Sequence, residues 1–88
     1  MDKLTSMNVF VRVAKAGSFA GAARDLGISR AMATKHIMHL ERQLDTRLFN
    51  RTTRSLSLTE VGASYLGRCQ QVLLDVDEME SAVTHLQA

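Results

Sequence analysis

The sequence predicts a mainly α-helical domain, and three observations predict it. Apolar residues recur at gaps of three and four along most of the chain, the period of a helix with one buried side. None of the 88 residues is proline, so nothing breaks those runs from within. Gly17 and Gly27 stand just past two of the runs, where helices end. Only between Leu48 and Thr59 does the period fall to two, which marks strands.

The first helix is expected over about Leu4 to Ala16, with Leu4, Met7, Phe10, Val11 and Ala14 inward and Gly17 as its stop. Ser18 caps a short second helix, SFAGAARDL, closed by Gly27. Ala22 and Ala23 are small where another helix must approach, and Leu26 and Ile28 flank the glycine pointing inward. Ser29 caps the third helix, with Ile28 placed to staple against Ala33. In SRAMATKHIMHLERQL, Ala33, Ile37, Leu40 and Leu44 form the apolar stripe, and Ala31, Lys35, Met38 and Arg42 face away from it. Two helices joined through a glycine turn this tight, the second basic on its outer face, describe a helix-turn-helix, an arrangement suited to a DNA groove.

Leu56 and Leu58 alternate with Ser55, Ser57 and Thr59, and Leu48 and Phe49 open the section. With TTRS as the loop, this is a two-stranded ribbon carrying Arg51 and Arg54 near its tip, able to lay a guanidinium on phosphates or in the minor groove. From Thr59, a plausible cap with Glu60 in the first turn, the helical period returns to the end of the chain. Tyr65, Cys69, Val72, Val76, Met79, Val83 and Leu86 follow one another at alternating gaps of four and three, a heptad seam that predicts pairing with a second copy. Leu66 and Leu73 widen the first half, which is expected to pack on its own domain as well. Leu86 is still in register near the end of the chain, so a longer parent protein is expected.

Charge supports the same division. Residues 1–54 carry ten Lys/Arg against four Asp/Glu, whereas residues 55–88 carry one Arg against five acids. The basic part suits a polyanion and the acidic part does not. No apolar run is long enough for a membrane span, nothing resembles a secretory leader, and a single cysteine excludes an intrachain disulfide. A cytoplasmic protein is expected.

These residues carry a resemblance. From SFAGAARDLGIS through KHIMHLERQLDTRLFNRTTRSLSLTEVG, and most specifically at Leu40-Glu41, LFNRTTR and LTEVG, the chain resembles the N-terminal DNA-binding domain of LysR-type bacterial transcriptional regulators. The resemblance implies a winged helix-turn-helix with a two-stranded β wing over residues 1–58, and a long linker helix over 59–88 through which two subunits dimerise. It implies double-stranded promoter DNA with dyad symmetry as the partner, and dimers of dimers in full-length members. A small-molecule effector would be sensed by a further domain. By position, Arg30, Ala31, Thr34 and Lys35 would read bases, and Ser18 and Ser29 would hold phosphates. Arg51 would contact the backbone and Arg54 the minor groove. Ala31 or Met32 could touch a thymine methyl, and Lys35 or Arg30 a guanine. The chain departs from the family pattern at Ala31 (often proline), Thr34 (usually serine) and Asp45 (commonly glycine).

Two other classes compete. The heptad seam alone would fit a helical adaptor that never meets nucleic acid. An enzyme has little to stand on: His36 and His39 lack a third metal ligand, Cys69 lies on the seam, and no phosphate loop or nucleophile–base pair is present. No cofactor or metal is expected.

Overall fold

A computed structural model describes residues 1–52 and 55–87, Gln87 by its backbone alone. The elements follow the predicted order: α1 (Lys3–Ala16), α2 (Phe19–Leu26), α3 (Arg30–Leu44), β1 (Phe49–Arg51), β2 (Leu56–Leu58) and α4 (Glu60–Gln87). The chain is mainly helical, a winged helix-turn-helix extended by one long helix.

The boundaries of α1, α2 and α3 and the start of α4 have local causes. Asp2 caps α1, accepting from the Thr5 N–H and hydroxyl at 2.9 and 2.6 Å, and these bonds hold its carboxyl below the ordinary value. Ser18 and Ser29 cap α2 and α3 by accepting from Gly21 and Met32 N–H, each at 3.0 Å. Gly17 and Gly27 turn left-handed at φ 74° and 68°, a conformation that costs glycine nothing. Asp45 does the same at φ 52°, so the residue that departs from glycine keeps the turn. Thr59 caps α4 through Gly62 N–H at 2.9 Å and donates its own hydroxyl to the Arg47 carbonyl at 2.7 Å.

α1, α2 and α3 pack on one another, and α4 lies along α1. Phe10, Val13, Ala22, Ala33, Ile37, Leu40 and Leu48 are sealed in the centre. The chain's three phenylalanines and one tyrosine form a single row through it. Ring centroids lie 6.1 Å apart for Phe19–Phe49, 5.3 Å for Phe49–Phe10 and 5.3 Å for Phe10–Tyr65, all tilted or edge-on. This row links α2, β1, α1 and α4. The strands pair antiparallel with Phe49 opposite Leu58 and Arg51 opposite Leu56.

Several inward assignments need correction. On α1 the buried residues are Ser6, Met7, Val9, Phe10 and Val13, while Leu4 is exposed and Val11 and Ala14 are half-buried. α1 is clasped by α2, α3 and α4, so its buried face is broader than one stripe and rotated toward Val9 and Val13. Leu26 and Leu44, the last residues of their helices, project past the core and stand exposed. On α4, Cys69 is sealed inside its own domain and Tyr65 is half-buried against Phe10. Cys69 leaves the seam for the core, because α1 lies against the first half of α4. Burial pushes the Tyr65 phenol up to about 12, and raises the Cys69 thiol as well. The seam's later members are differently placed: Val72, Met79, Val83 and Leu86 are exposed, and Val76 is half-buried.

Candidate nucleic-acid interface

The outer face of α3 is built by exclusion. Ala33, Ile37 and Leu40 must face the core, which leaves Arg30, Ala31, Met32, Lys35, Met38 and Arg42 in solvent. Thr34 is half-buried and its hydroxyl donates to the Arg30 carbonyl at 3.0 Å, leaving its lone pairs for an outside donor. His36 does not belong to this face. It is buried, with Nδ1 2.8 Å from the Ser6 hydroxyl of α1. Burial, then the neighbouring His39 and the chain's amino terminus, hold the His36 imidazole below its ordinary value.

Two helix starts open beside this face. Ser18 and Ser29 each use a lone pair to cap a backbone N–H, so each hydroxyl hydrogen is free to meet an anion. The N-terminal ends of α2 and α3 add their positive dipole ends. Between them and the wing runs an open cleft lined by Gly17, Ser18, Phe19, Arg30, Arg51, Thr52, Ser55 and Leu56. Its wing side is closed by Thr52 and Ser55, whose backbone and hydroxyl bonds of 3.0 to 3.1 Å cross the loop mouth. Arg54, the expected minor-groove residue, lies outside the described residues.

Arg51 is held more firmly than a loop arginine would be. Its Nη2 donates to Glu41 Oε1 at 2.8 Å, and its guanidinium lies 5.4 Å from the Phe19 ring centroid. Glu41 is buried at 8% exposure, and its other oxygen accepts the Leu48 N–H at 2.8 Å and the Phe49 N–H at 3.5 Å. One carboxylate therefore ties α3 to the first strand and to the wing arginine. The sequence carried a signal for this: Glu41 lies four residues after Ile37, on the edge of the apolar stripe, and an acid there is buried only when paired. Among the described residues no group of three or more His, Cys, Asp or Glu side chains could hold a metal, and no helix is long and apolar enough to cross a membrane.

The comparisons agree with this geometry. The bacterial regulatory helix-turn-helix profile of the lysR family matches residues 4–63. An HTH-type transcriptional repressor of Pseudomonas aeruginosa (strain UCBPP-PA14) is 48% identical over 83 residues, 94% of this chain and 26% of its own length. The crystal structure of the BenM_DBD/catB site 1 DNA complex superposes with a TM-score of 0.94 at 28% identity, covering 100% of this chain and 98% of that one. The CbnR_DBD–DNA complex does so at 0.92 and 26%, covering 100% of both. The chain spans about a quarter of the length of the curated relatives it matches. With a profile match over most of its length and the same helix-turn-helix, wing and long helix as these solved domains, the chain belongs to the lysR family of bacterial regulatory helix-turn-helix proteins.

Proposed function

We propose that the chain is the double-stranded DNA-binding part of a bacterial transcription regulator, active in the cytoplasm and without catalysis, cofactor or metal. The observation that carries this reading is the exposed, basic front of α3 standing beside two serine-capped helix starts and an arginine-lined cleft. A groove-inserted helix reads bases while flanking N–H, hydroxyl and guanidinium groups hold phosphates. Arg30, Ala31, Met32, Thr34 and Lys35 are the base-facing set. Ser18, Ser29 and Arg51 hold the backbone, and Arg54 enters the minor groove. That two structurally similar domains were crystallised on DNA supports the assignment.

Residues 1–58 form the reading unit and 59–88 the linker helix. Two copies pair through Tyr65, Val72, Val76, Met79, Val83 and Leu86, with Cys69 sealed behind them, and tetramers form in the longer parent protein. A small-molecule effector acts through a further domain. Selection of bound duplexes from a random pool tests the reading. Dyad-symmetric sites with half-sites roughly 34 Å apart are expected, with affinity falling steeply between about 50 and 200 mM salt. Binding without salt dependence, or no binding at the lower salt, would overturn it.

A further inference from the structure

Glu41 is an acid beside a surface that must accept a polyanion, and simple electrostatics makes it a hindrance to binding. Its geometry gives it another part. Its two oxygens are shared between the chain entering β1, through Leu48 and Phe49 N–H, and the Arg51 guanidinium. Phe19, the first residue of α2, immediately after the Ser18 cap, places its ring under that guanidinium, 5.4 Å from the centroid. Arg51 also lines the cleft shared with Ser18, Arg30 and Thr52. An arginine carries five N–H donors in a rigid fork, and the bond to Glu41 uses one. With one donor anchored on Glu41 and the guanidinium held over the Phe19 ring, the remaining donors have a restricted set of directions, with the cleft beside them.

We propose that Glu41 is a positioning residue for DNA binding: it aims Arg51 so that the free edge of the guanidinium meets a backbone phosphate seated in the cleft between the α2 start and the wing. This rests on the DNA-binding reading above and adds to it a buried acid that strengthens binding to an anion. The gain is entropic: an arginine already held in its bound orientation loses less freedom when the phosphate arrives.

The test uses the whole chain, one duplex carrying its selected site and one random duplex, with affinities measured over a salt series. Glu41→Gln keeps a carbonyl oxygen for the Leu48 N–H and removes the charge that anchors Arg51. Binding is expected to weaken roughly tenfold on both duplexes alike, the loss of one charge-assisted contact, and the salt slope to fall by about one. The Glu41→Gln/Arg51→Ala double variant should bind no worse than Arg51→Ala, because both changes remove the same contact. A purely structural role for Glu41 would leave the salt slope unchanged and would add to the loss from Arg51→Ala. Arg51→Lys approaches the same question without touching Glu41: a lysine keeps the charge but lacks the planar fork, so it should bind nearly as poorly as Arg51→Ala. Unchanged or tighter binding by Glu41→Gln, additive losses in the double variant, or wild-type binding by Arg51→Lys would each overturn the proposal. Failure of the unsubstituted chain to bind either duplex would instead overturn the DNA-binding reading, and this proposal with it.

Discussion

Lys35 and His36 are neighbours in sequence with opposite fates, because α3 turns 100° between them. Lys35 is exposed on the outer face, and its predicted role is direct reading of a base. Lys35→Ala should cost about 1–3 kcal/mol on the selected site and relax preference at one base pair. Competition against random DNA checks this, since an equal loss on both would make Lys35 a phosphate contact. His36 is buried against Ser6, and burial holds its imidazole below the ordinary value of 6.5. The folded chain then binds this proton less tightly than the unfolded chain, so unfolding takes up a proton once the pH falls below about 6.5. Stability is full above that value, declines as the pH drops toward the folded pKa, and levels off below it. His39 and the amino terminus act in the same direction as burial, and Asp2 opposes them. Denaturant melts at pH 7.5 and 5.5 should show the decline, and His36→Asn should remove most of the difference. A pH-independent melt of the unsubstituted chain would show that His36 does not titrate in this way.

At the scale of elements, the wing and the long helix meet at Gly62. A β-carbon there would collide with the Leu48 carbonyl, the same oxygen that accepts the Thr59 N–H. The first turn of α4 therefore lies directly on the entry to β1, and glycine is the residue that permits it. Gly62→Ala is expected to destabilise the fold by about 1–3 kcal/mol through overpacking, read as a lower urea midpoint. An unchanged midpoint would mean that α4 can shift away from β1 at little cost. Residues 58–62 read as a motif in the sequence, but the reason for its glycine is a contact with a residue fourteen positions earlier. Asp45 is the converse case: it stands where the family commonly has glycine, and the structure gives it the left-handed turn that glycine favours.

Across the whole molecule, α4 runs about 42 Å at 1.5 Å per residue, most of the longest dimension of 51 Å. Its first half is spent on the chain's own core, through Gly62, Tyr65 and Cys69. From its middle onward the helix carries Val72, Met79 and Val83 at 42%, 60% and 52% exposure. Val61, 48% exposed, lies eleven residues before Val72, about three helical turns, and so extends that stripe toward the wing end. Met79→Glu with Val83→Glu should convert a dimer into a monomer by sedimentation, leave the melting of the reading unit nearly unchanged, and reduce affinity for a two-half-site duplex far more than for a single half-site. A dimer that survived both charges would place the interface elsewhere.

The order of elements, the caps at Ser18, Ser29 and Thr59, the left-handed turns and the outward face of α3 were all determined by the sequence itself. They depend on spacing and on conformational preferences within a few residues, which any reader of the chain can follow. Tertiary structure alone decided which apolar residues are covered and which charges are paired. Leu4, Leu26 and Leu44 have the right period but remain exposed, while Val9, Val13 and Cys69 are enclosed by helices distant in sequence. Arg51 reads as a surface arginine until Glu41, ten residues away, and Phe19, thirty-two residues away, are brought to it. Burial and charge pairing are properties of what arrives from elsewhere in the chain, and periodicity along one element carries no record of that.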